Sequence, residues 1–336
     1  MFLSLVTIGS LPVPSTAQPF GAFVVLTGAN GYVEVPNSAA ISVAGEMTIE
    51  AWVNITPSGG CRSLVGKNFA SSYWIGVCGT TIRSQSSGPT TAREGGAVED
   101  ARWTHIAVVF GNGLRKHYVN GEERASFAET VPLGVSSSPL RIGSDVSWAF
   151  TPTGCIDELR LWNVARTKAQ IRSTINTTVH SPTPGLVSVW AFDGAGNDLV
   201  GGQNGTGVGQ YSFQFPPAVG HCDPGPHVLC LQNRFAVAVE WRDFAGNVGD
   251  ATVASCGTSD SGLYWFFSPQ NVEMLVKVLN GCTFNDRYWI FAAATTNVGF
   301  RLEVLDVQRN DSRIYFNYLG ESAPAVTDAA ALQTCP

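Results

Sequence analysis

Paired carboxylates are the first chemistry to look for, because cleaving a glycosidic bond takes two of them flanking one bond, about 5 Å apart or somewhat wider to admit a water. On a strand, that arrangement needs acidic residues at alternate positions, so that both point to one side. Glu50 has no acidic residue two positions away, and Asp157-Glu158 are adjacent, which directs them to opposite faces of an extended strand. The pattern expected of a strand-borne catalytic pair is missing.

Nucleophilic catalysis fares no better. His105, His117, His180, His221 and His227 are available as bases, but no Gly-x-Ser-x-Gly turn accompanies them. His105 follows Trp103 in an apolar strand and reads as a packing or hydrogen-bonding residue, while His117 reads as a solvated residue of a hairpin strand. His221 and His227 flank Cys222, with Cys230 nearby, yet the spacing matches no zinc finger. Asp193 to Asp198 lacks the alternating oxygen ligands of a calcium loop and reads as a polar turn. Asp243 to Asp250 is the better candidate for a cation loop.

Eight cysteines, scattered without C-x-x-C pairs, point to disulfides and an oxidising compartment. Cys61 and Cys78 bracket a short excursion, Cys222 and Cys230 another, and Cys282 with Cys335 would staple the tail. Cys155 and Cys256 remain, either joining two domains or staying as buried thiols, and spacing does not choose between them.

The nine tryptophans carry the rest of the chemistry, since a flat ring stacks on the apolar face of a sugar while polar neighbours take its hydroxyls. Trp52, Trp103 and Trp265 sit in apolar alternation and read as core. Trp74 and Trp148 lie nearer loops and are the expected ligand-binding pair.

The elements that must position these residues are strands. Charged residues make up 14% and Gly numbers 36 in 336 residues, a mix suited to short strands and tight turns. Met47, Ile49, Ala51 and Val53 alternate with Glu50 and Trp52 on the opposite face. Asn30-Gly31 and Asn120-Gly121 signal hairpins. One helix is expected over Ala165 to Ile175, with Thr167 as its N-cap. Six further strands between Arg234 and Tyr318 predict a second, smaller antiparallel sandwich.

The domain reading is a signal peptide over 1–17, a sandwich over 18–214, a Pro- and Gly-rich linker over 215–225 and a C-terminal sandwich over 226–336. A net charge of −6 without Lys/Arg clusters excludes a nucleic-acid footprint, and no later apolar run is long enough for a membrane span.

Several motifs in order carry a family resemblance: Gly28-Ala29-Asn30-Gly31-Tyr32-Val33-Glu34-Val35-Pro36, Met47-Thr48-Ile49-Glu50-Ala51-Trp52-Val53, Trp103-Thr104-His105-Ile106-Ala107-Val108-Val109, Tyr118-Val119-Asn120-Gly121-Glu122, Leu140-Arg141-Ile142-Gly143, and Gly154-Cys155-Ile156-Asp157-Glu158-Leu159-Arg160-Leu161-Trp162-Asn163. Together they resemble the laminin-G-like (concanavalin-like) jellyroll of bacterial secreted proteins. The resemblance implies an all-β fold of two stacked antiparallel sheets, shared by lectins, pentraxins, carbohydrate-binding modules and some glycan-cleaving enzymes. It also implies a structural calcium ion (Ca2+), which here would draw on Asn30 and Asp157. The C-terminal half resembles a β-rich module appended to bacterial extracellular proteins, which implies architecture but no activity. The expected function is a secreted, non-catalytic binding module for a glycan or an extracellular protein surface. A structural or adhesive surface component and a polysaccharide hydrolase or lyase are the alternatives.

Overall fold

The computed structural model describes residues 21–214, 220–255 and 257–336. The expected signal peptide, residues 215–219 of the expected linker and Cys256 lie outside them. The described residues form two compact units, divided near residue 215.

The N-terminal unit is a sandwich of antiparallel sheets. One sheet runs in the order Glu122–Ala128, Leu114–Val119, Thr104–Gly111, Met47–Thr56, Thr153–Trp162, Phe23–Thr27, Tyr211–Gln214, with Leu186–Trp190 also paired to Thr153–Trp162. The other runs Thr206–Val208, Tyr32–Val35, Leu140–Ile142, Cys61–Gly66, Trp74–Cys78, Thr81–Gln85, Arg93–Ala97. Met47, Ile49, Ala51 and Val53 face inward, as their alternation requires, and meet Leu64, Ile75, Val77, Ile82 and Ile142 of the opposing sheet.

Asn30-Gly31 does not close a hairpin. Phe23–Thr27 pairs with Thr153–Trp162 and Tyr211–Gln214, whereas Tyr32–Val35 pairs with Leu140–Ile142 and Thr206–Val208, so the turn carries the chain from one sheet to the other. Asn30 takes a left-handed conformation, and the Gln210 carbonyl lies where a side chain on Gly31 would stand. The Asn-Gly pair answers to this close approach rather than to a two-residue loop.

The helix is Lys168–Thr174, one residue inside its expected N-cap. Thr167 accepts from Gln170 N while the Gln170 side chain accepts from Thr167 N, a reciprocal capping box. Ile171 beneath it packs on Ala107, Val109 and Tyr118 of the first sheet, so the outer face of that sheet is also covered.

The C-terminal unit stacks two five-stranded antiparallel sheets. Phe235, Val237, Val239, Leu302 and Val304 from one meet Tyr264, Val276, Val278 and Ile290 from the other. Gly220 already donates to Val307 O, and Cys222 is buried against Ala236 and Leu305. Residues 220–225 therefore pack on this unit, and the expected linker is shortened from its C-terminal side. Disulfides join Cys61 to Cys78, Cys222 to Cys230 and Cys282 to Cys335. Cys155 keeps a free thiol, pushed up to about 12 by burial and by Asp157. No helix among the described residues is long and apolar enough to cross a membrane.

Candidate functional site

The site starts from the strand Trp74–Cys78. Tyr73, Ile75 and Val77 enter the core, which turns Trp74 to the other face of the sheet. There its Nε1 donates to Ser63 Oγ at 2.8 Å, and Ser63 Oγ donates to Trp148 O at 2.9 Å. Trp74 is fully buried, so it cannot itself offer a ring to a ligand; the expected pair is corrected on that point. What covers it is Phe69, edge-on at 5.2 Å, and Phe69 in turn stacks on Trp148 at 4.7 Å. Trp148 leans on Phe150 at 4.9 Å, and Phe150 is 50% exposed. Trp74 and Trp148 thus belong to one aromatic cluster, with Trp74 as its floor and Trp148 and Phe150 as its half-exposed rim.

Two loops must be held for these rings to meet. Asp145 Oδ1 accepts from Phe69 N, Ser147 N and Trp148 N at 2.9, 2.7 and 3.1 Å, tying both loops to one carboxylate. Its other oxygen lies against Gly66, where any side chain would overlap it. Burial pushes the Asp145 acid up, against the pull of the three N–H groups and Arg141. Nearby, Lys67 is buried with Nζ donating to Asn37 Oδ1 at 2.6 Å and Ser138 O at 2.8 Å, and burial pushes it down to about 8. Arg62 lies at the rim with its guanidinium carbon 5.7 Å from the Phe150 ring centre. Phe69, Phe150, Arg62 and Asp145 escaped the sequence reading; the one available signal was the Trp148-x-Phe150 spacing.

The other singled-out residues do not assemble a reacting centre. Asp157 lies one register step before the pair Val24–Ile156, opposite the start of Phe23–Thr27, whereas Asn30 lies past that strand's far end. A five-residue strand spans roughly 16 Å, and Asp157 Oδ1 already accepts from Glu158 N at 2.7 Å. The two residues do not fit a single calcium ion. Among the described residues no group of three His, Cys, Asp or Glu side chains is placed to hold a metal. Asp243 spends its oxygens on Ala245 N, Asn247 N and Asn247 Nδ2 of its own loop. Asp198 likewise accepts from Val189, Val200, Gly201 and Gln203, which makes it the organiser of a polar turn.

Asp157 and Glu158 are not on opposite faces. The register slips between Asp157 and Arg160, with Glu158 left-handed at φ 47°, and this bulge returns Glu158 to the side of Arg160. Glu158 is buried and saturated, 2.7 Å from both Arg160 Nη2 and His180 Nε2, and Arg160 and His180 draw its carboxyl below the usual range despite burial. Such a group has no proton to give a leaving group. Glu50 lies in the same layer, bonded to Arg166 Nη1 at 2.5 Å and Trp162 Nε1 at 3.0 Å. His105 packs edge-on to Trp52 and is held neutral by burial and by the Arg160 and Arg166 cations. His117 is buried rather than solvated. It bridges the two sheets, from Ser84 Oγ at 2.7 Å to Gly95 O at 2.8 Å, because the strand Arg93–Ala97 folds over it. The Cys222–Cys230 disulfide removes both thiolates from any zinc site.

Residues 27–172 match the family model described as the concanavalin A-like lectin/glucanases superfamily, which makes this stretch a laminin-G-like jellyroll. A solved structure of a provisionally described carbohydrate binding protein from Bacteroides ovatus is similar at 20% identity and TM-score 0.50, covering 58% of this chain and 59% of that one. Domain 4 of AbnA, an extracellular arabinanase from Geobacillus stearothermophilus, in complex with arabinotriose, is similar at 22% identity and TM-score 0.37, covering 44% and 74%. Among curated proteins, Pappalysin-1 of Mus musculus is 36% identical over 93 residues, which is 26% of this chain and 6% of that protein. The chain spans only that small part of its curated relative.

Proposed function

We propose that the N-terminal unit is an extracellular, non-catalytic carbohydrate-binding module whose ligand face is the rim formed by Trp148 and Phe150. The observation that carries this is the aromatic cluster itself: rings from two loops, anchored by one buried aspartate, end in a half-exposed Phe150. A laminin-G-like fold shared with a provisionally described carbohydrate binding protein supports the reading. The saturated state of Glu158 supports binding without turnover. Three disulfides fit an oxidising, extracellular setting, and export follows from that setting.

Oligosaccharide titration by calorimetry tests the face. Phe150→Ala and Trp148→Ala should each weaken binding by roughly tenfold or more while leaving the circular dichroism unchanged. Undiminished affinity in both variants would remove this face from consideration, and product release from a polysaccharide would overturn the non-catalytic reading.

The C-terminal unit favours a second reading, adhesion to an extracellular protein surface, for its own part. On its sheet Leu263 pairs with Leu275, Leu279 with Trp289 and Lys277 with Phe291, all but the lysine apolar and half-buried. Phe291→Ser should lower retention on immobilised extracellular proteins if this face adheres. Equal retention would argue against it.

A further inference from the structure

The aromatic rim carries a cation, Arg62, that has no counter-ion among the described residues. The strands of this sheet carry four arginines, Arg62, Arg83, Arg93 and Arg141. Arg83 is paired with Glu94 at 3.2 Å and Arg141 with Glu34 at 2.9 Å. Arg62 makes no ion pair among the described residues. Its Nη1 donates to Cys61 O at 3.2 Å, its guanidinium lies against the half-exposed Phe150 ring, and among the described residues its Nε and Nη2 have no protein acceptor. The acid of the cluster, Asp145, is sealed from solvent and its Oδ1 is occupied by three backbone N–H groups. The rim therefore offers a ring face for stacking and, beside it, the Nε–Nη2 edge of a guanidinium. That edge holds two parallel N–H donors, the geometry that matches a carboxylate or a sulfate oxygen pair.

We propose that this face selects a glycan bearing an anionic substituent, a carboxylate or a sulfate, with Arg62 as the group that reads the charge and Phe150 as the ring under the sugar. The proposal rests on the carbohydrate-binding reading of the same site. Stacking on Phe150 is indifferent to substituent charge, whereas a charge-assisted pair of hydrogen bonds to Arg62 is available only to the anion. Lysine at this position would keep the charge but lose the fork.

Matched oligosaccharide pairs test it on the full chain by calorimetry: an oligogalacturonate against its methyl ester, and a κ-carrageenan oligosaccharide against its desulfated form. The expected result is preference for at least one anionic member by roughly tenfold, with the pair that discriminates naming the source of the charge. Arg62→Gln should abolish that preference and leave the neutral member within about twofold of wild type, and Arg62→Lys should restore only part of it. Raising salt from about 50 to about 500 mM should weaken the wild type on the anion and leave Arg62→Gln unchanged. Equal affinity for charged and neutral members would overturn the anionic preference while leaving glycan binding in place. A preference that persists in Arg62→Gln would overturn the role of Arg62. Binding to none of the four would overturn the carbohydrate reading and this proposal together.

Discussion

The indole of Trp148 lies on the ring of Phe69 with centroids 4.7 Å apart and planes 20° from parallel. The two residues come from loops 79 positions apart in the chain, and neither loop belongs to a strand at that point. Their stacking depends on a third party, Asp145, which accepts an N–H from each of them. The presentation of the rim is therefore a property of the buried anchor as much as of the rings.

Gly66→Ala probes that anchor without touching a ring. A β-carbon there overlaps the Asp145 carboxylate, which is buried and cannot retreat. Overpacking of this kind costs roughly 1–3 kcal/mol. The variant should fold with a lower urea midpoint and bind oligosaccharide more weakly than wild type. A wild-type midpoint and affinity would show that the loops are held by something other than Asp145.

The Cys61–Cys78 disulfide fastens the strands Cys61–Gly66 and Trp74–Cys78 at the end where Arg62 stands. Its sequence separation is 17, and closing a loop of that size stabilises by about 3 kcal/mol in the chain-entropy view. Replacing both cysteines by serine should lower the unfolding free energy of the N-terminal unit by that order. Fluorescence of the tryptophan-rich unit in urea is the measurement, and an unchanged midpoint would mean that the native hairpin already resists opening on its own.

Much of this architecture was legible in local pattern. Met47 to Val53 alternates because one face meets the core, and Thr167 with Gln170 three residues later reads directly as a capping box. What local pattern hid is what long-range contact decides. Glu158 gives no sign of taking a left-handed φ, so the bulge that reverses its face is invisible until Arg160 and His180 are placed around it. Trp74 reads as a surface residue because it sits near a loop, but Phe69 covers it, and Phe69 is held there by Asp145 and Trp148 from a loop far along the chain. His117 reads as solvated because the strand that covers it, Arg93–Ala97, is rich in Gly and charge and looks like a loop.

Glu50 is the carboxylate under the helix Lys168–Thr174, and Glu50→Ala should be among the most destabilising single changes in the unit. The carboxylate lies 2.5 Å from Arg166 Nη1 and 3.8 Å from Arg160 Nη1, with all three side chains almost fully buried. Removing it leaves two guanidinium groups facing each other without the shared anion. Breaking a buried pair from one side costs about 3–5 kcal/mol, more than the pair itself contributes, because the remaining charge is desolvated. Glu50→Gln, which keeps an oxygen for Trp162 Nε1, should cost less. Equal urea midpoints for wild type and Glu50→Ala would mean that water reaches this layer.

Acid should loosen the N-terminal unit through its two buried histidines before the carboxylates titrate. Burial, aided by the neighbouring Arg115 and opposed by the Gly95 carbonyl, pushes His117 down to about 4, and burial with Arg160 and Arg166 pushes His105 well below 6.5. In the unfolded chain both bind a proton near pH 6.5. Between that pH and the folded values the unfolded state holds more protons, so unfolding free energy falls as pH falls, by about 1.4 kcal/mol per unit for each histidine. The contribution is complete above pH 6.5, and for His117 its loss is complete only near pH 4. Urea midpoints taken from pH 7.5 to 5.5 should therefore decline in the wild type, and the decline should be about half as steep in His117→Gln, whatever that variant's absolute stability. A flat profile in the wild type over this range would mean that one or both imidazoles are protonated in the fold, which their burial and the cations beside them argue against.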